Sequence, residues 1–452
     1  MEIQQAIDHV GFGRFQRRLF LVCGVTWAAD AAEIFLISFA LPGFRDEFGL
    51  SATEAGLVVT ATFAGMLAGA WVWGAVADRV GRRLGFQLTI AIFAFAGLAS
   101  AFAPDAVWLA VLRALTGFGL GGALPLDFSL FAEYLPTRNR GRWLVLLESF
   151  WAVGTVIAAV LGLLLVPTLG WRWLLATSAV AALLVLWVRL RVPESARYLL
   201  TRGRQDEARR LLDRIATENG TRLPPGELTV PEGSGRTGLG QLLRGGLRRT
   251  TLTLWALWLL IAFSYYGIFV WLPDIFAERY GYDLLNSYRY VFYLALIQLP
   301  GYFSAAWLVD RWGRKPVLAT YLAASAVATL LWSLVAGVGP ILATAGLMSF
   351  FTLGAWAALY AYTPEVYPTQ LRAGGMGIAS GFARIGGTVA PLLGGVLLSI
   401  SLVAALSVFA VAFAGAALVA LVFAGETRGR PLSDTLTQLS ALAPGRTRNP
   451  RK

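Results

Sequence analysis

The chain has 452 residues, 57% of them hydrophobic and only 14% charged, with a mean hydropathy of +0.64. These values lie outside the range of an ordinary soluble domain and imply an integral membrane protein. A net charge of +12 would suit nucleic acid, but the location of the basic residues excludes that partner.

In chain order, a short polar segment holding His9 leads into an apolar run at 19–41, which contains WAADAAEIFLIS from Trp27 to Ser38. A charged carboxylate at the bilayer centre costs about 2.5–3.5 kcal/mol on insertion scales, so Asp30 and Glu33 are expected to face a bundle interior or a watery cavity. Further runs long enough to cross about 30 Å of hydrocarbon as helices lie at 54–77, 85–103, 106–134, 143–166 and 173–192. After a long polar segment they resume at 251–273, 288–309, 316–337, 340–363, 376–398 and 402–424. Twelve helices are therefore predicted. The first is too long and too interrupted by acids for a cleaved signal peptide.

Of the 38 Arg and Lys, 32 fall on one side of these helices, in the N-terminal segment, the loops after even-numbered helices and the C-terminal tail. Four (Arg45, Arg172, Arg279, Arg289) fall on the other side, and Arg113 and Arg384 lie within helices. That asymmetry is the positive-inside pattern, which places both termini in the cytoplasm. A single Cys and a single His exclude a disulfide framework and a His- or Cys-rich metal site, so no metal or cofactor is expected. No phosphate-binding loop of the G-x-x-x-x-G-K-[ST] type is present, so ATP hydrolysis and enzymatic activity are not expected. GFGLGG at 117–122 matches a dinucleotide fingerprint but lies in an apolar helix with no preceding strand; close helix packing by small residues is its better reading.

Internal repetition organises the chain. DRVGRR at 78–83 recurs as DRWGRK at 310–315, and EYLPTRNRG at 133–141 recurs as EVYPTQLRA at 365–373, both at one and the same offset. Glu194 and Glu426, Gly154 and Gly386, and Gly162 and Gly394 share that offset. The expected fold is an all-α membrane protein of twelve transmembrane helices in two six-helix bundles, 1–192 and 251–425. A segment at 193–250 joins them and a tail covers 426–452. The joining segment begins as a basic amphipathic helix, expected at the membrane surface, and continues as a flexible linker.

DRVGRR, RALTGFGLGG, PESARYLLTRGR and DRWGRK together resemble the signatures of the major facilitator superfamily over nearly the whole chain. More narrowly, GFGRFQRR, the D-x-x-E pair of helix 1, FAEYLP and YYGIFVWLP resemble the synaptic vesicle protein two-related group and its bacterial nicotinate-type relatives. The sequence departs from hexose porters of that superfamily: RGRWLVLLES carries Glu148 where a helix 5 glutamine is usual, and LLIAFSYYGIFVWLP lacks their glutamine-rich signature. Long extracellular loops and acidic tails of the animal vesicle proteins are also missing, which favours a bacterial inner membrane. The resemblance implies alternating access, two bundles rocking about a site near the midplane.

On that frame, Asp30 and Glu33, three residues apart on helix 1, together with Arg113 in helix 4, are the candidate proton-coupling set. One carboxylate pairs with Arg113 while the other titrates; a static ion pair is the alternative. The candidate gate comprises Asp78, Arg79, Arg82, Glu133 and Arg142 in the first half and Asp310, Arg311, Arg314 and Glu365 in the second. They are expected to pair across the cytoplasmic face, with plain positive-inside anchoring as the alternative. Candidate substrate contacts are Glu148, Asp127, Tyr265, Tyr266, Trp356, Tyr360 and Arg384. Arg384, permanently charged and able to grip a carboxylate with two parallel hydrogen bonds, favours an anionic solute. Structural roles for it, neutralising Glu148 or Asp127 or reaching the cytoplasmic face, remain the alternative. Tyr265 is the repeat counterpart of Glu33 at the shared offset and is expected to face the cavity with it. The expected activity is proton-coupled symport of a small organic acid such as nicotinate by a monomer whose partners are solute, protons and lipid. Sugar or polyol transport, organic-cation transport, drug efflux and a non-transporting sensor are the alternatives.

Overall fold

A computed structural model of the chain describes residues 1–122, 126, 129–229, 239–244, 247–367 and 369–428. Asp127 and the side chain of Asp78 lie outside the described residues. Among the described residues, ten helices are long and apolar enough to cross a bilayer, and the shorter apolar helices Ala106–Leu120 and Trp171–Val185 fill the fourth and sixth places. The twelve predicted helices are thus present.

In the first half, span 1 is Arg14–Glu47, span 2 Ala52–Val80 and span 3 Arg82–Ser100. Span 4 starts with Ala106–Leu120, span 5 joins Arg140–Glu148 to Phe150–Leu169, and span 6 joins Trp171–Ala176 to Ser178–Arg191. In the second, span 7 is Leu247–Phe269 with a short continuation at Leu272–Asp274, followed by Leu284–Trp312, Arg314–Leu334, Val338–Glu365, Thr369–Ile400 and Leu402–Phe423 as spans 8 to 12. Span 1 packs on span 5, span 2 on span 4 and span 3 on span 6; spans 7 and 11, 8 and 10, and 9 and 12 repeat these pairings. The halves meet through span 2 against span 11 and span 5 against span 8, two contacts that the repeat interchanges.

Glycine explains two of these features. A Cβ on Gly117 would collide with the carbonyl oxygen of Thr62, so spans 2 and 4 approach backbone to backbone, as the small-residue reading of GFGLGG predicts. Gly81 and Gly313, the glycines of the two repeated loops, take φ of 103° and 106°, a region that side-chain-bearing residues avoid. Each turn is closed by a carboxylate from the end of its own half. Glu194 accepts from the backbone N–H of Arg82 at 2.9 Å and of Arg83 at 3.2 Å, and Glu426 from those of Arg314 at 3.0 Å and Lys315 at 3.1 Å. These are charged N-terminal caps, matched to the helix dipole of spans 3 and 9.

The segment after span 6 folds as helices Ala196–Thr201 and Gln205–Glu218. Its amphipathic stripe does not rest on lipid as expected: Leu212 and Ile215 are buried in protein, with the N-terminal helix Ile3–Val10 packed alongside. That helix carries an apolar face of its own, and the two stripes cover each other. Asn219 locks the junction, accepting from the Phe15 N–H at 3.1 Å and donating to Gln16 at 2.8 Å.

Candidate functional site

A cavity with an empty volume of about 450 Å³ lies between the halves. Trp27, Glu148 and Trp151 line it from spans 1 and 5; Trp258, Tyr265 and Tyr266 from span 7; Leu353, Trp356 and Tyr360 from span 10; and Ser380, Ala383 and Arg384 from span 11. Six of the seven expected substrate contacts therefore converge, and the seventh, Asp127, lies outside the described residues. The walls are interlocked aromatic rings: Trp258 contacts Tyr360 edge-on with centroids 4.9 Å apart, and Tyr265 contacts Tyr266 at 5.2 Å. Trp151 Nε1 donates across the halves to the Tyr265 hydroxyl at 3.3 Å.

Two opposite charges face this aromatic space. Arg384 is 8% exposed, and its Nη1 lies 3.7 Å from Met66 Sδ of the other half. Glu148 is 6% exposed, and its Oε2 has no hydrogen-bond partner among the described residues. No ion pair within 4 Å joins the two among the described residues, although their opposite charges share one cavity.

The proton-coupling candidates sit elsewhere. Arg113 Nη2 pairs with Glu33 Oε1 at 2.6 Å, and Ser178 Oγ donates to Glu33 Oε2 at 2.6 Å. All three side chains are buried, with Asp30 buried one turn away on span 1. Gly97 of span 3 makes the room, since a Cβ there would stand 2.8 Å from Glu33 Oε1. Glu33 thus points into the first bundle, whereas its repeat counterpart Tyr265 points into the central cavity. The expectation that both share the cavity face is corrected: a buried carboxylate turns toward the guanidinium that compensates it.

The gate candidates form contacts inside each half. On the face that carries the termini, Glu133 lies 3.8 Å from Arg82 and accepts a short hydrogen bond from Ser195, while Arg79 and Arg142 are exposed. Arg314 donates to Glu365 from Nε at 3.1 Å and from Nη2 at 2.8 Å, and pairs with Asp310 at 3.2 Å; Arg311 stacks on Trp307. Among the described residues, an ion-paired closure between the halves lies on the opposite face. Arg45 at the end of span 1 pairs with Asp274 at 2.7 Å and Glu278 at 2.8 Å, and Tyr288 donates to the Phe39 carbonyl at 2.7 Å. Sequence reading missed this closure because Arg45 and Asp274 look like ordinary loop charges at helix ends. It also missed Ser380 and Ala383, although they are the repeat counterparts of two other cavity residues, Glu148 and Trp151.

A family model described as sugar (and other) transporter matches residues 20–437. The chain belongs to that family. It is a membrane transporter of the major facilitator superfamily, not an enzyme. It is 40% identical to the niacin transporter NiaP of Acinetobacter baylyi, over 87% of this chain and 90% of that one. It is 36% identical to the synaptic vesicle 2-related protein of Xenopus laevis, over 96% and 82%. Its fold matches the xylose transporter XylE of E. coli in a partially occluded inward-open conformation with a TM-score of 0.74, at 19% identity and covering 92% of this chain and all of that one.

Proposed function

We propose that this transporter carries a small aromatic or monocarboxylic acid such as nicotinate together with protons, by alternating access, in a bacterial inner membrane with both termini in the cytoplasm. The observation that carries the reading is Arg384, a buried guanidinium in a cavity walled largely by aromatic rings, which it shares with Glu148. A flat ring with one carboxylate matches that combination: the rings take its faces and the guanidinium its charge. The Acinetobacter relative, a niacin transporter by name, supports the same solute.

The coupling proton is assigned to the acid pair of span 1. Protonation of Glu33 weakens the hold of Arg113 on span 1, which links proton occupancy to the position of that helix. Closure at the Arg45 face with the aromatic cavity beneath it suits a carrier that exposes its site to one side at a time.

Uptake of labelled nicotinate into proteoliposomes under an inward proton gradient tests the whole reading. Arg384→Ala is expected to abolish binding in folded protein, and Arg384→Lys to restore little because the two-pronged contact is lost. Glu148 supports one rival solute class, organic cations, since its carboxylate faces the same cavity. Cation uptake that survives Arg384→Ala and fails in Glu148→Gln would select that rival.

A further inference from the structure

The central cavity receives a carboxylate from one half and a guanidinium from the other, Glu148 on span 5 and Arg384 on span 11. Glu148 is buried, and its Oε2 has no hydrogen-bond partner among the described residues. We infer that Glu148 is a second proton-binding site of the carrier, which takes up a proton when a solute carboxylate occupies Arg384. The inference rests on the reading of Arg384 as an anion site and adds a proton to that same site.

The surroundings of Glu148 supply little charge. Span 1 presents Trp27, with Asp30 one turn beyond it; span 7 presents Tyr265 and Tyr266, span 8 Tyr302, span 10 Tyr360 and span 11 Arg384. Tyrosine hydroxyls are neutral under ordinary conditions. Among the described residues that line the cavity, Arg384 is therefore the cation that offsets Glu148.

In the empty cavity the two charges cancel. A solute carboxylate gripped by Arg384 brings a second negative charge into the same aromatic space, and two carboxylates that share one buried cation do not both stay ionised. The solute is held by parallel hydrogen bonds to the guanidinium, so the proton goes to Glu148. It comes from water on the open side and turns Oε2, an acceptor without a donor, into a hydroxyl that donates to the solute or to a neighbouring oxygen. The loaded cavity is then neutral again, and the carrier rocks without an uncompensated charge between its halves whether empty or full.

Glu33 does not serve this purpose. Both of its oxygens are already engaged inside the first bundle, by Arg113 and Ser178. A proton there bears on the position of span 1, whereas a proton on Glu148 bears on the cargo, so net accumulation requires both sites. The repeat sets Glu148 apart as well. At the shared offset it corresponds to Ser380, and Arg384 corresponds to Ala152. A serine suffices at the equivalent place of the second half, so the duplicated fold does not itself call for an acid there.

Binding of labelled nicotinate to the full chain in lipid nanodiscs is measured from about pH 6 to about pH 9, where the solute stays an anion, and proton uptake is read with an indicator dye in weak buffer. The unaltered protein is expected to take up about one proton per nicotinate bound and to lose affinity by up to about tenfold per pH unit over part of that range. Glu148→Gln mimics the protonated acid. It is expected to take up no proton and to bind at every pH as the unaltered protein does at the acid end. Glu148→Asp keeps a carboxyl group and is expected to recover the pH dependence. Nicotinate binding without proton uptake at any pH, or uptake that persists in Glu148→Gln, overturns the site; persisting uptake that vanishes in Glu33→Gln would assign the proton to span 1. Loss of binding in Glu148→Gln and Glu148→Asp alike would make the acid a structural residue and overturn it too. Absence of nicotinate binding by the unaltered protein refutes the anion reading of Arg384 and the proton site with it.

Discussion

Arg113 in span 4 and Glu33 in span 1 meet at 2.6 Å with both side chains buried, and Ser178 from span 6 completes the carboxylate's contacts. Removing one member of a buried pair strands the other, at a cost of about 3–5 kcal/mol. Arg113→Ala is therefore expected to lower the thermal unfolding midpoint strongly, and Ser178→Ala, which deletes one hydrogen bond, to lower it much less. Glu33→Gln keeps the shape and loses the charge. It is expected to abolish gradient-driven accumulation while solute exchange continues. Full accumulation in both Glu33→Gln and Asp30→Asn would move the proton site elsewhere.

The closure at Arg45 makes a second expectation. Asp274 is the better buried of its two partners, with 3% side-chain exposure against 48% for Glu278. Because the pair with Asp274 exists only when this face is closed, Asp274→Asn should shift the population toward states open there, and Glu278→Gln should do little. Modification of Thr155→Cys by an impermeant thiol reagent, in a Cys23→Ser background, reads the shift. Equal rates in the Asp274→Asn and unmodified backgrounds would mean that Arg45 is not a latch.

The repeated basic loops give a third. Arg314 holds Glu365 through two nitrogens, whereas Asp310, with 75% side-chain exposure, takes a single contact at 3.2 Å. Glu365→Gln is thus expected to slow transport more than Asp310→Asn. A larger effect of Asp310→Asn would restore the reading in which that acid acts across the face in another state.

A fourth concerns Gly81 and Gly313. Alanine at either position meets both a positive φ and the capping carboxylate, Glu194 or Glu426. A loss of about 1–3 kcal/mol is expected, seen as a lower unfolding midpoint of the purified protein. Alanine at Gly377, which has open space around it, serves as the tolerant control.

Hydropathy made the spans legible, and the constant offset between repeated motifs made the two halves legible, because both signals are carried along the chain. The central cavity was partly legible: Glu148 and Arg384 stand out as charges in apolar runs, and Tyr265 and Trp356 as polar-tipped aromatics. Trp27 did not, since 16 tryptophans share its chemistry and interfacial placement explains most of them. Which face of a helix looks toward the axis depends on its rotation against neighbours, and neither composition nor spacing reports that. The Glu194 and Glu426 match appeared in the sequence, but its role as a cap required seeing a turn far back along the chain.

That pair of caps also bears on how the molecule is made. Glu194 emerges after span 6 and fastens a turn already in the membrane between spans 2 and 3; Glu426 does the same for spans 8 and 9. Each half is clasped by its own last residues and borrows nothing from the other for that step. During synthesis the first bundle can lock before span 7 leaves the ribosome, so the unstable interval for each set of six helices ends with its own final turn, not with the completed chain.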